Sequence, residues 1–119
     1  MLDFYWYPKC STCRKAKQWL DENGVDYRTI DLIQDTPKAA LIEKWLNESE
    51  QPMTYFFNTH GEKYRELKIK DELPTMSNIQ ASQVLASDGM LIKRPVLIEG
   101  DKMTTGFKED VFEENWLNK

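Results

Sequence analysis

The feature that most limits what this chain can fold into is its opening. An aromatic-rich, strand-like run at residues 2–7 passes without a linker into a turn and a helix that carry both of its cysteines. Pro8-Lys9-Cys10-Ser11-Thr12 makes the turn, and Cys13, Ala16 and Leu20 then share one face at helical spacing, while Arg14, Lys15 and Lys17 fall elsewhere. Asn23-Gly24 is a stop signal, and residues 25–32 read as a second strand. A strand, a helix and a strand in this order form a crossover, which sets the two strands parallel. The cysteine turn then lies at the C-terminal end of the first strand, where open α/β sheets place their chemistry.

Beyond this unit the chain is richer in helix. Thr36-Pro37 reads as an N-cap and first helical residue, opening a helix to about Asn47 with Leu41 and Trp45 four apart. Residues 51–73 are less regular, with short helical pieces separated by Asn58-Thr59-His60-Gly61. Ser77 can cap a further helix that ends at Asp88-Gly89 and turns Ala81, Val84 and Leu85 inward. Two short strand signals flank the turn Gly100-Asp101, and a last helix at 108–117 sets Phe112 and Trp116 four apart. At 119 residues and 40% hydrophobic content, the chain suits a single domain with a real core, spanning 1–119. The order β-α-β, helices, β-β-α is a thioredoxin-type layout: an α/β fold with a mixed sheet of about four strands and a helical insertion at about 36–90.

The charge balance excludes some partners. A net charge of -4 with acidic and basic residues interspersed offers no basic stripe, so direct nucleic-acid binding is not expected. No run approaches the roughly 20 apolar residues of a membrane span. Residues 2–7 are too short for a secretory signal, so the cytoplasm is the expected location.

The chemistry concentrates in Cys10-Ser11-Thr12-Cys13. A disulfide here would close almost no loop and so gains little as a staple. At a helix N-terminus the first sulfur meets unpaired backbone N–H groups and the positive end of the helix dipole, both of which favour a thiolate. Cys13, three residues on, faces the same side and can attack a mixed disulfide on Cys10. Lys9 and Arg14 add positive charge nearby. A zinc site needs more ligands than this chain has, since there is no third cysteine and His60 is the single histidine. The plainer alternative is two ordinary thiols, with Cys13 packed in the core. Arg94-Pro95 is the second signal, at the entry to the hairpin. Arg94 either aims its fork of donors at the Cys10 sulfur or an oxyanion, or is a solvated surface arginine. The isomer of Pro95 is not legible. His60 reads as a solvated loop residue, and Phe4-Tyr5-Trp6-Tyr7 as half core and half surface.

The segment from Tyr7 to Ala16 resembles the active-site stretch of the arsenate reductase (ArsC/Spx) family. Phe56-Phe57-Asn58-Thr59, Tyr64-Arg65-Glu66-Leu67, the stretch from Ala86 to Pro95 and Gly106-Phe107-Lys108-Glu109 resemble it too, in the right order and nearly end to end. The likeness is nearest to the YusI-like branch of C-x-x-C proteins. It implies a thioredoxin-like fold, Cys10 as nucleophile, Arg94 as the anion-binding arginine, and Pro95 as a cis proline opposite the active cysteine. Ser11, Thr12, Arg14, Asn58, Pro95 and Lys108 are the expected substrate contacts. No metal or organic cofactor is implied.

The chain departs from the family's glutaredoxin-linked reductases at two positions where further arginines would hold the oxyanion, carrying Asn58 and Gly106-Phe107-Lys108 instead. At about 1.5–3 kcal/mol per charged hydrogen bond, two lost forks would weaken arsenate binding by several kcal/mol. Those reductases also generally use one active-site thiol with glutathione, whereas this chain has a pair. Two functions follow as expectations. One is a thiol-disulfide oxidoreductase, arsenate-reductase-like, with Cys10 attacking, Cys13 resolving, Arg94 stabilising thiolate or oxyanion, and thioredoxin or another thiol reductant closing the cycle. The other is an Spx-type redox-switched regulator docking on the RNA polymerase α C-terminal domain. The ending Trp116-Leu117-Asn118-Lys119, without the basic tail associated with those regulators, favours the enzyme.

Overall fold

The computed structural model describes residues 1–117; the terminal Asn118 and Lys119, on which the reading of the tail depends, lie outside the described residues. The chain divides into two compact units, one of Met1–Asp31 with the chain from Arg94 onward, the other Leu32–Lys93.

The first unit is built on a four-stranded sheet. Strand β1 (Leu2–Trp6) leads into helix α1 (Ser11–Glu22) and strand β2 (Tyr27–Asp31). The chain returns to this unit as β3 (Val96–Glu99) and β4 (Lys102–Thr105). The strand order is β2-β1-β3-β4. β1 runs parallel to β2, from Leu2 opposite Tyr27 to Trp6 opposite Asp31, as a strand-helix-strand crossover requires. It runs antiparallel to β3, with Asp3 opposite Ile98 and Tyr5 opposite Val96. The β3–β4 hairpin turns at Gly100, whose φ of 64° suits a residue without a Cβ. This is the thioredoxin-like mixed α/β sheet expected from the element order.

Alternation decides which face of β1 is covered. Leu2 and Phe4 are fully buried and join Leu97, Ala16 and Leu20 in one core with Phe112 and Trp116. Trp19 and Phe107 meet Phe112 edge-to-face, with ring centroids 5.3 and 4.8 Å apart. The Trp116 indole N–H donates to the buried Thr104 hydroxyl at 3.2 Å. The terminal helix occupies the expected residues but changes type along its length: α6 (Glu109–Phe112) widens into a π-helical turn at Glu113–Leu117. There the Asn115 side-chain amide donates to the Val111 carbonyl at 2.8 Å, an acceptor that a regular helix gives to the residue 115 backbone N–H.

The second unit holds α2 (Ala39–Glu48), α3 (Glu62–Glu66), α4 (Ile69–Glu72) and α5 (Asn78–Ser87), with 3₁₀ turns at Met53–Phe56, Leu73–Thr75 and Gly89–Leu91. Helices α2 and α5 pack together. Ser77 caps α5 through a reciprocal box with Gln80 (3.1 and 2.9 Å). The start of α2 differs from expectation. Thr36 donates its hydroxyl back to the Leu32 carbonyl at 2.6 Å, so it does not cap, and the helix begins two residues beyond Pro37 with Lys38 as N-cap. Ile42, Trp45 and Leu46 line its buried face, whereas Leu41 is exposed.

Candidate functional site

Strand β1 ends at Trp6, and the turn that follows is pinned at three points. The Cys10 N–H donates to the Tyr7 carbonyl (2.9 Å), and the Arg14 N–H donates to the Cys10 carbonyl (3.1 Å), which begins α1. The Arg14 guanidinium donates to the Pro8 carbonyl at 3.0 Å across the outside of the loop. Cys10 is therefore the N-cap of α1, with extended backbone angles. Its sulfur stands at the end of a 12-residue helix where the first N–H groups have no partner within the helix. Cys13, one turn along, belongs to the inner face and is fully buried, while Cys10 is half-exposed; both are free thiols.

The two sulfurs are driven apart electrostatically. Burial is the largest influence on Cys10 and opposes ionisation, but it is outweighed by hydrogen bonds from the Cys13 N–H and thiol and by the Arg94 charge. The net result holds the Cys10 pKa below its ordinary value. Burial pushes the Cys13 thiol up to about 12, helped by the neighbouring Cys10 and offset in part by an N–H bond from Tyr7. One sulfur is prepared to be a thiolate and the other to keep its proton.

Arg94 reaches this site from the other end of the sequence. The Arg94–Pro95 peptide is cis, which the sequence left open. Pro95 is buried just before β3, and its carbonyl accepts the Gly106 N–H at 2.9 Å, where Gly106 has a φ of 75°. The Arg94 guanidinium carbon lies 5.7 Å from the centre of the Tyr7 ring. Arg94 is half-buried, so the alternative of a solvated surface arginine does not describe it.

The other expected residues are placed as follows. Ser11 and Thr12 form the exposed first turn of α1, and Lys108 is an exposed residue at the N-cap of α6. Asn58 belongs to the second unit, where its N–H donates to the Leu91 carbonyl at 2.8 Å and its side-chain amide to that of Met90 at 3.4 Å. His60 is exposed in the turn that follows. The charge acting on Cys10 is that of Arg94, whereas Arg14 is engaged with the loop backbone. Tyr7 is the residue that sequence reasoning missed. β1 ends one residue before Tyr7 and its antiparallel neighbour β3 begins two residues after Arg94, and the Tyr7 ring meets the Arg94 guanidinium at that end of the sheet.

Among the described residues, no group of three or more His, Cys, Asp or Glu side chains could hold a metal. No helix among them is long and apolar enough to cross a membrane.

The chain is similar to known proteins over nearly its whole length. The chain is 51% identical over 115 residues to the uncharacterized protein YusI of Bacillus subtilis, covering 97% of this chain and 98% of that one. A possible arsenate reductase from Streptococcus mutans, known from its crystal structure, superposes with a TM-score of 0.87 at 49% identity, covering 93% of this chain and 97% of that one. The global transcriptional regulator Spx of Listeria innocua is 25% identical over 111 residues, or 92% of this chain and 82% of that protein. The fold is thus that of arsenate-reductase-like proteins, in a group whose members include transcriptional regulators. The sequence model of the ArsC family matches residues 5–115, and the chain belongs to that family.

Proposed function

We propose that the protein is a dithiol oxidoreductase in which Cys10 attacks, Cys13 resolves and Arg94 stabilises the negative charge. The observation that carries this reading is the opposed tuning of the two sulfurs, Cys10 lowered and Cys13 pushed up to about 12. The Cys10 thiolate attacks one sulfur of a substrate disulfide, forming a mixed disulfide and releasing the other sulfur as a thiolate. Cys13 then attacks the Cys10 sulfur, its proton passing to the departing substrate sulfur, so the second half of the substrate leaves as a thiol. Two electrons have passed to the substrate, and the Cys10–Cys13 disulfide remains. A thioredoxin or another dithiol reductant returns the pair to the reduced state.

The same arginine fits an oxyanion, with Ser11, Thr12 and Lys108 of the same unit as the remaining candidate contacts. A disulfide is the favoured substrate, because Asn58 and Lys108 stand where family reductases carry further guanidinium forks. The test uses a small disulfide such as hydroxyethyl disulfide with a dithiol reductant. Cys10→Ser should abolish turnover, and Cys13→Ser should accumulate a mixed disulfide visible by intact mass. Equal activity in both variants would overturn the scheme.

The Spx relatives favour a second reading, a redox-switched regulator whose disulfide alters a docking face. Isolated RNA polymerase α C-terminal domain, offered to oxidised and reduced protein, separates the two. Binding in one redox state without turnover supports the regulator, and binding in neither removes it.

A further inference from the structure

We infer that Tyr7 is a positioning residue of the thiol site: its ring, set across the end of the sheet from Arg94, holds the guanidinium where it stabilises the Cys10 sulfur. The inference rests on the reading of Arg94 given above and names what keeps that arginine in place.

Three observations converge on Tyr7. Tyr7 follows the last residue of β1 and Arg94 lies two residues before β3, so the antiparallel β1–β3 pairing brings both to the same end of the sheet. The guanidinium carbon stands 5.7 Å from the centre of the Tyr7 ring, within the range of a cation–π contact. The Tyr7 backbone meanwhile touches both cysteines: its carbonyl accepts the Cys10 N–H at 2.9 Å, and its N–H donates to the Cys13 sulfur. One residue thus ties the nucleophile, its partner and the stabilising charge into a single arrangement.

The chemistry explains why an aromatic ring suits this place. A π face attracts a guanidinium without taking a hydrogen bond from it, so the fork's N–H directions are not spent on the contact. A carboxylate there would hold the arginine as firmly but would also neutralise the charge on which the Cys10 thiolate depends. The groups that act electrostatically on Cys10 are Cys13 and Arg94, both on elements that flank the Tyr7 loop. Displacing the arginine therefore changes the reactivity of one sulfur and need not change the fold.

The experiment is the pH profile of Cys10 alkylation by iodoacetamide, followed by mass, which needs no physiological substrate. Its outcome is therefore independent of whether the protein turns over disulfides. Tyr7→Leu should slow alkylation at pH 7 roughly two- to five-fold, the scale of an exposed cation–π contact, and move the midpoint to higher pH. Tyr7→Phe, which keeps the ring face, should leave the profile unchanged. In an Arg94→Met background, Tyr7→Leu should add nothing further. The inference is overturned by an unchanged profile in Tyr7→Leu, by an equal shift in Tyr7→Phe, or by a shift that persists without Arg94. If near-UV circular dichroism shows that Tyr7→Leu does not fold, pentafluorophenylalanine at position 7 keeps the shape and reverses the ring's polarity. It should raise the midpoint, and an unchanged midpoint would equally overturn the inference.

Discussion

The Cys13 thiol and N–H both donate to the Cys10 sulfur, so that the buried cysteine stabilises the charge of the half-exposed one. The arrangement is asymmetric: at Cys13 burial prevails, although the Tyr7 N–H offsets it in part.

The first prediction concerns this donation. Alkylation of Cys10 should show a midpoint below the ordinary thiol value of 9.0. Cys13→Ala removes the S–H donor while leaving the backbone N–H, and should move the midpoint upward, toward that value. Peptide mass mapping across a pH series gives both midpoints, and a Cys13→Ala midpoint equal to the wild type would show that the thiol donor contributes nothing.

Stability against alkali follows from Cys13. In the unfolded chain this thiol ionises near 9.0, but in the folded protein only near 12. As pH rises between these values the unfolded state sheds a proton that the folded state keeps, so stability falls across that window and is fully present below it. Tyr5, Tyr27 and Tyr64, also raised by burial, act in the same sense. They remain in Cys13→Ala, so the difference in urea midpoint between the two proteins reports the cysteine pair alone. The wild type should lose more stability than the variant as pH rises above 9.

Gly89→Ala should destabilise the Leu32–Lys93 unit by about 3 kcal/mol or more. A Cβ at this position would fall on the Leu32 carbonyl oxygen and lie 3.0 Å from its carbonyl carbon, and backbone cannot yield as a side chain can. A thermal melt within the error of the wild type would contradict this.

Thr104→Val should cost about 1–3 kcal/mol at nearly constant volume, because it leaves the Trp116 indole N–H buried without its acceptor at 3.2 Å. Trp116→Phe in that background should be less harmful than in the wild type, since the orphaned donor goes with it; denaturant titration of all four proteins measures the coupling.

The sequence made the sheet and the thiol pair legible because local signals and tertiary demands coincide there. The alternation of Leu2 and Phe4, the stop at Asn23-Gly24 and the box at Ser77 each have one partner nearby, and the structure uses it. Thr36 shows the opposite case. Its hydroxyl can serve a helix ahead or a carbonyl behind, and only the fold determines that it takes the Leu32 carbonyl. The exposure of Leu41 arises similarly, from a helix face set by what packs on it. Tyr7 was hidden for a related reason. An aromatic residue at a strand end looks like ordinary core until the pairing of two strands far apart in sequence brings a cation to its ring.

β1 leaves the sheet into the Cys10 turn, and β3 enters its antiparallel ladder beside β1 directly after Arg94-Pro95. The nucleophile and its counter-charge are thus an exit and an entrance at one end of neighbouring strands, while the whole Leu32–Lys93 unit is spelled out between them. The thiol pair and its arginine are encoded by two short margins of the chain, far apart in sequence and neighbours in the sheet.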